Sequence, residues 1–174
     1  IKKSAFAPTF YRSSEMYKSG RYNDAIRIAL NRADDIRRIY KEVSGSQKAS
    51  DWSPVQVVCE KCGKLSTTKI ISFDGKKVKY RCEPSAVVWT KGCDGEGEIN
   101  PFDGNAKLPW KVEGAAKFKI FGVDVEGGGK DHSTRGGARD HIARDRIVGA
   151  MTGALEAILV APPIRRAAQV GTAS

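Results

Sequence analysis

The sequence has no run of 18 or more apolar residues, so it offers no segment that predicts a transmembrane helix. Its first residues, Ile1-Lys2-Lys3-Ser4, lead into mixed polar sequence and lack the apolar core of a secretory signal peptide. Cysteine is scarce, with four in 174 residues, and there is no internal repeat. These absences predict a soluble, cytoplasmic protein without a membrane partner.

Acidic residues are fewer than basic ones, and the 30 Lys and Arg against 20 Asp and Glu give a net charge of +10. An excess of this size favours a polyanionic partner when it is concentrated on one part of the chain. Residues 1–50 carry 11 basic and 5 acidic side chains, whereas residues 51–105 carry 8 of each. The basic excess is therefore mainly N-terminal, and the segment that contains the cysteines has none.

Apolar residues recur at three- and four-residue steps between residues 22 and 43, as they do along one face of an α-helix. The stripe consists of Tyr22, Ile26, Ala29, Leu30, Ala33, Ile36, Tyr40 and Val43. A shorter helix is predicted over 13–18, before Gly20, so that the two form a helical hairpin. The basic side chains off the stripe could face a phosphate backbone or only solvent; they are Arg27, Arg32, Arg37, Arg38 and Lys41.

After a predicted linker at 44–50, the chain changes from helical to strand-like patterns. Short runs of β-forming residues occupy 55–58, 69–73 and 77–80. Asp74-Gly75 stands between the last two runs and is typical of a hairpin turn. Residues 51–105 are therefore predicted to form a small β-rich module.

The four cysteines lie within this module in a spacing typical of a zinc ribbon. Cys59 and Cys62 are separated by two residues, and Gly63 follows where the backbone must bend around a metal. Cys82 and Cys93 flank the hairpin and complete a four-thiolate set. Disulfides are the alternative, but no secretion signal is visible, which favours zinc. Four cysteines leave no open coordination position for water, so the pattern predicts a structural Zn²⁺ ion and argues against a redox pair.

A strand at 117–125, a glycine loop at 127–129 and a helix over about 133–147 are predicted in succession, as in an α/β sheet. The loop is not a Walker motif, because Asp131 stands where Ser or Thr is required, and His132 breaks a G-x-G-x-x-G pattern. These two residues would lie at the carboxyl end of the strand, where α/β sheets bind ligands. The alternative is a plain turn with exposed polar side chains.

Several segments resemble, in order, the class I lysyl-tRNA synthetase family. A helical stretch before the cysteine segment resembles the family's helices, and the Cys59 to Cys93 ribbon resembles its zinc insertion. Gly129-Lys130-Asp131-His132 is similar to a segment of the family's second catalytic half. The matching stretches outside the ribbon are 15–22, 107–113, 115–118, 121–124, 129–132 and 136–140.

The resemblance implies an α/β fold, namely part of a Rossmann-type class I synthetase catalytic domain with an N-terminal helical segment and an inserted four-cysteine zinc ribbon. We therefore expect a helical connective segment at 1–50 and the zinc-ribbon insertion at 51–105. A partial Rossmann-type catalytic half is expected at 106–148, followed at 149–174 by a divergent tail that could be disordered.

The resemblance also implies a chemistry: activation of lysine with ATP to lysyl-adenylate, and transfer of the lysyl group to tRNA(Lys). Lysine, ATP and tRNA(Lys) would be the partners, with Mg²⁺ beside the ATP and Zn²⁺ in the ribbon. Gly129, Asp131 and His132 are the implied ATP- or lysine-binding residues, and Asp131 would bond an ATP ribose or the lysine ammonium group. No side chain is assigned to covalent catalysis.

The chain also departs from the family pattern. A His-x-Gly-His segment and a Lys-Met-Ser-Lys-Ser-like loop, which bind ATP phosphates in the family, are both missing. We therefore expect a fragment that cannot aminoacylate tRNA alone, with a frameshifted or fused end at 162–174. The alternative is a stand-alone zinc-ribbon module that binds RNA through its basic N-terminal helix. A third hypothesis is a degenerate protein without a partner.

Overall fold

A computed structural model describes residues 8–123 of the chain. Within this part, three helices come first, five strands follow and a fourth helix comes last. The elements are α1 Ser13–Lys18, α2 Asn23–Asn31, α3 Ala33–Ser44, β1 Gln56–Val57, β2 Thr68–Phe73, β3 Val78–Cys82, β4 Glu96–Ile99, β5 Ala106–Lys107 and α4 Trp110–Phe121. No helix in this part is long and apolar enough to cross a membrane.

The first helix, α1, has the predicted bounds, but the single helix predicted over 22–43 is wrong, because the structure divides it at Arg32. Asp34 and Asp35 lie in the first turn of α3, where the helix dipole favours acidic side chains. The Nε atom of Arg32 donates to Asp35 Oδ2 at 2.9 Å and stabilises the N-terminus of α3. The predicted apolar stripe nevertheless faces inward, since Tyr22, Ile26, Ala29, Ile36 and Tyr40 are all buried.

The strands form two antiparallel sheets, one that pairs β1 with β5 and one in the order β2-β3-β4. The predicted hairpin turn between β2 and β3 is confirmed, and Asp74 Oδ1 accepts the backbone N–H groups of Lys76 and Lys77. Val78, Tyr80 and Cys82 are buried on one face of β3, as the two-residue period of a strand requires. The short strands β4 and β5 were not predicted, because their sequences show no alternation of apolar residues.

The strand predicted at 117–125 is also wrong, because residues 117–121 belong to α4. Charged and apolar residues alternate from Lys117 to Ile120, which is typical of a strand, but these residues continue the helical turns that precede them. Glu113 pairs with Lys117 one turn later, and Gly122 ends the helix with a φ of 57°. The predicted loop at 127–129, the helix at 133–147 and the tail at 149–174 lie outside the described residues.

One hydrophobic cluster joins the helices, the ribbon and α4. Leu108 is fully buried next to α4, and its backbone N–H donates to Tyr17 Oη at 3.1 Å. Asn23 and Asp103 exchange two hydrogen bonds, of 2.8 and 3.0 Å, that join α2 to the turn after β4. These contacts fix the ribbon against the helices, while the domain boundaries given above stay a prediction.

Candidate metal centre

The four cysteines, distant in sequence, converge at one end of the ribbon. Their Sγ atoms all lie within 4.8 Å of one another. The Sγ atoms of Cys59 and Cys93 are 3.6 Å apart, and those of Cys62 and Cys82 are 3.7 Å apart. A tetrahedron with metal–sulfur bonds of about 2.3 Å has edges of about 3.8 Å, whereas a disulfide bond is about 2.05 Å long. The cysteines are free thiols at a spacing that fits one tetrahedral ion.

The first pair of thiols stands on a tight turn that follows β1. The N–H of Gly63 donates to the carbonyl oxygen of Cys59 at 2.7 Å, and the N–H of Cys59 donates to that of Lys64 at 2.9 Å. Gly63 has a φ of 69°, a left-handed conformation that glycine adopts without steric cost. The turn thereby brings Cys62 beside Cys59, as the sequence pattern predicts.

The second pair comes from the end of β3, which carries Cys82, and the end of the loop before β4, which carries Cys93. The N–H of Cys82 donates to the carbonyl oxygen of Gly95 at 2.8 Å, and the N–H of Cys93 reaches Cys82 Sγ at 3.4 Å. The hydroxyl of Thr67 lies 3.2 Å from the same sulfur. These polar contacts orient Cys82 and offset part of the negative charge that a thiolate would carry.

Two close approaches support this arrangement. A Cβ atom on Gly92 would collide with the carbonyl oxygen of Glu83, so only glycine lets these two backbone segments pass. A Cβ on Gly97 would lie 2.6 Å from Tyr80 Oη, because the tyrosine ring packs over this glycine. Tyr80 Oη in turn accepts the N–H of Glu60 at 2.8 Å and fixes the first turn to the sheet.

Sequence reasoning missed Thr67, Tyr80 and Gly92. One of them had a signal: Tyr80 stands two residues before Cys82 and therefore shares its face of the strand. Thr67 and Gly92 had none, because each acts through a contact with a residue that is distant in the chain.

Cys59 and Cys93 do not ionise alike. Burial opposes ionisation of Cys59, but the backbone N–H groups of Cys62 and Lys61 and the neighbouring thiols outweigh it and lower the pKa of Cys59 to about 6. The Gly95 N–H favours the thiolate of Cys93, but desolvation and the other thiols outweigh it and raise the pKa of Cys93 to about 11. A divalent cation removes this conflict, because it binds all four groups as thiolates. The residues therefore fit a Zn²⁺ ion.

The basic face of α2 and α3 is largely engaged within the protein. Arg32 and Arg38 pair with Asp35, and Arg37 pairs with Asp34. Arg27 donates to the carbonyl oxygen of Gly75 at 3.2 Å. The three remaining predicted site residues, Gly129, Asp131 and His132, lie outside the described part of the chain.

Comparison with known proteins identifies relatives for most of the chain. The family model described as tRNA synthetases class I (K) matches residues 1–153. The lysine–tRNA ligase of Methanosarcina barkeri is 41% identical over 140 residues, which are 80% of this chain and 25% of that protein. The lysine–tRNA ligase of Methanocaldococcus jannaschii is 41% identical over 134 residues, or 76% of this chain and 24% of that protein. The Archaeoglobus fulgidus lysine–tRNA ligase is 36% identical over 137 residues, or 77% and 26%.

The chain thus spans about a quarter of the length of the curated relatives that it matches. The family match, by contrast, extends over nearly all of it, from the helices through the cysteine ribbon and α4. The resemblance to a lysyl-tRNA synthetase is confirmed, and the chain belongs to the family of class I (K) tRNA synthetases.

Proposed function

We propose that this chain is part of a lysine–tRNA ligase, which activates lysine with ATP and transfers the lysyl group to tRNA(Lys). The observation that carries the proposal is the 41% identity over 140 residues to the lysine–tRNA ligase of Methanosarcina barkeri. The chain covers 25% of that relative, so we propose the activity for the full-length enzyme and not for this segment alone.

The proposed reaction has two steps. In the first, an oxygen of the lysine carboxylate attacks the α-phosphorus of ATP, and the bond to the leaving pyrophosphate breaks. In the second, a ribose hydroxyl at the tRNA terminus attacks the lysyl carbonyl carbon, its proton is released and AMP departs. No bond to the enzyme forms, so the protein acts by placing the reactants and stabilising charge, with Mg²⁺ at the ATP phosphates.

The proposed place of ATP and lysine is the segment that contains Gly129, Asp131 and His132. This segment lies within the 1–153 match to the family, which supports the proposal. Asp131 is proposed to bond an ATP ribose or the lysine ammonium group. In this proposal 106–148 are part of a Rossmann-type catalytic half in a cytoplasmic enzyme, 1–50 are its helical connection and 149–174 are a divergent tail.

The proposed role of the zinc ion is structural. Four cysteine ligands complete its tetrahedral shell, so no position remains for a water molecule or a substrate. The ion would join the first turn, which carries Cys59 and Cys62, to Cys82 at the end of β3 and to Cys93 at the end of the loop before β4. In the full-length enzyme this zinc ribbon at 51–105 is proposed to be an insertion in the catalytic domain.

The alternative, a stand-alone RNA-binding module that uses the basic N-terminal helix, is not favoured. Its phosphate contacts would need free cations, yet Arg32, Arg37 and Arg38 pair with acidic residues of the same helix.

A chimeric enzyme tests the proposed function. In the lysine–tRNA ligase of Methanosarcina barkeri, the matching 140 residues are replaced by those of this chain, and lysine-dependent exchange of pyrophosphate into ATP is measured. We expect exchange with lysine and little with arginine, and lysylation of tRNA by the same chimera. The isolated chain should show neither activity.

The variant Asp131→Ala of the chimera should bind ATP or lysine more weakly, and Asp24→Ala, which removes an exposed acidic side chain of α2, is the matched control. A folded, zinc-loaded chimera without lysine-dependent exchange would overturn the proposed function. Unchanged affinity for both ligands in Asp131→Ala would overturn the assignment of this residue.

A further inference from the structure

The loop at 83–92 leaves the ribbon between two of the cysteines and presents an apolar tip to solvent. Val88 is fully exposed and Trp89 is 74% exposed. An antiparallel bridge between Val87 and Thr90 closes the chain into a tight turn at this tip. Tryptophan is the largest apolar side chain, so leaving it in water forgoes more burial than any other residue would. This loop is therefore a candidate contact surface.

The loop is held in place by contacts at its base. It is flanked by Cys82 and Cys93, whose sulfurs belong to the candidate zinc site. Next to these cysteines, Gly92 packs on the carbonyl oxygen of Glu83 so closely that no Cβ atom fits. From the first turn, Lys64 Nζ donates to the carbonyl oxygen of Lys91 at 2.5 Å. A loop ordered in this way loses little entropy when it binds a partner.

Three lysines lie on the loop itself or on the first cysteine turn beside its base. Lys61, Lys64 and Lys91 have no carboxylate partner among residues 8–123. The nearby carboxylates of Glu83 and Asp94 are already engaged by Lys69, at 3.9 Å, and by Arg81, at 2.9 Å. Lys61 lies against Gly95, close to Cys93, and thus on the side of the ribbon where the loop ends.

We propose that Trp89, at the tip of the loop 83–92, is a stacking platform for an unpaired base of RNA, and that Lys61, Lys64 and Lys91 contact the adjacent phosphates. An exposed aromatic ring beside unpaired cations is the chemistry by which proteins bind single-stranded nucleic acid. The inference rests on the proposed function in that the RNA would be the enzyme's own tRNA. It differs from the disfavoured alternative, which places RNA on α2 and α3.

The first test uses the zinc-loaded chain and a labelled, unstructured RNA oligonucleotide of about 12 nucleotides. Trp89→Ala should weaken binding by about 5- to 150-fold, the range expected for loss of one stacked base, and Trp89→Phe should restore most of the affinity. Ile71→Ala is the matched control, because Ile71 is a 54% exposed apolar residue on β2, and its affinity should equal that of the unaltered chain.

The second test concerns the phosphates. The double variant Lys64→Ala and Lys91→Ala should reduce the slope of log affinity against log salt by about 1.4, since each phosphate contact in single strands contributes about 0.7. Lys76→Ala with Lys79→Ala removes the same charge elsewhere on the hairpin and should leave the slope unchanged. Zinc content is measured for every variant.

Three results would overturn the inference. Equal RNA affinity of Trp89→Ala and Ile71→Ala would mean that the tip serves another partner, such as a protein. Loss of zinc without loss of RNA binding in the lysine variant would mean that the lysines offset the charge of the thiolates. A chain that binds no RNA oligonucleotide would exclude the stacking site. None of these results affects lysine-dependent exchange by the chimera, which tests the proposed function separately.

Discussion

Each cysteine of the candidate metal centre would supply one of the four proposed ligands, so single substitutions here should have graded effects. Cys62→Ser removes a thiolate and should reduce the zinc bound per chain well below one. Thr67→Val removes only the hydroxyl that lies 3.2 Å from Cys82 Sγ and should lower zinc affinity by about 10- to 100-fold. Competition with a coloured zinc chelator measures both.

Thr90→Val is the matched control for Thr67→Val, because Thr90 lies at the loop tip, away from the sulfurs. Equal zinc affinities in Thr67→Val and Thr90→Val would show that the hydroxyl does not support the site.

At Gly92 the backbone leaves no room for a side chain. In Gly92→Ala the new methyl group would overlap the carbonyl oxygen of Glu83, so the backbone that leads to Cys93 must shift. We expect lower zinc affinity and a lower unfolding temperature, whereas Thr90→Ala in the same loop should change neither. Chelator competition and thermal unfolding measure the two effects. A fully zinc-loaded Gly92→Ala protein with unchanged thermal stability would contradict the close approach.

At the scale of single residues, the sequence was enough to predict which four cysteines come together, because cysteines of a metal site are recognised by their type and spacing; that they bind zinc stays a prediction. It was not enough for Thr67 or Gly92, whose roles depend on which distant segment passes beside them. The implied ligand residues Gly129, Asp131 and His132 remain predictions.

Among the elements, α4 carries a buried carboxylate whose charge is balanced on both sides. The side chain of Glu113 is 7% exposed, and its oxygens lie 3.1 Å from Lys107 Nζ and 3.0 Å from Lys117 Nζ. Burial alone would raise the pKa of Glu113, but the hydrogen bonds from the two lysines outweigh it and lower the pKa. The pair with Lys107 also joins the start of α4 to β5.

Glu113→Gln should therefore destabilise the protein by about 1–2 kcal/mol at neutral pH, because a neutral amide bonds the lysines more weakly. Because the pKa of Glu113 is lower in the folded protein, its carboxylate stabilises the fold at pH values above the ordinary pKa of glutamate. This stabilisation is lost as the pH falls through the pKa of Glu113 in the folded protein. The difference in free energy of unfolding between the unaltered chain and Glu113→Gln, measured with urea, should therefore shrink in acid. Glu98→Gln, which breaks an exposed pair with Lys77, should cost under about 1 kcal/mol.

If the loss in free energy of unfolding caused by Glu113→Gln stays constant from neutral to acid pH, the stabilising pairs of the Glu113 carboxylate with Lys107 and Lys117 are contradicted.

Element types were predicted better where the pattern was long. The stripe of α2 and α3 and the hairpin of β2 and β3 were recognised from periodicity. The break at Arg32 was not, because the apolar stripe continues across it. The alternation of charged and apolar residues at 117–120 predicts a strand, but these residues continue the helical turns that begin at Trp110 and form the end of α4.

Across the described part of the chain, the four-cysteine cluster and the helices depend on different contacts. The sulfurs hold one end of the ribbon, whereas the core around Tyr17, Tyr22 and Leu108 lies against α4. We expect that chelating the metal releases the amide protons of β2, β3 and β4 to exchange with solvent while those of α2 and α3 stay protected. Hydrogen exchange read by mass spectrometry measures this. Equal loss of protection in both parts would contradict it.

The account as a whole depends on one metal ion at the four cysteines, and the mass of the protein tests this most directly. The native mass should exceed the denatured mass by that of one Zn²⁺ ion, corrected for the displaced protons, and Cys62→Ser should lose the difference. A folded chain that binds no zinc, with a mass lowered by the protons of paired thiols, would contradict the account and show disulfides in place of a metal site.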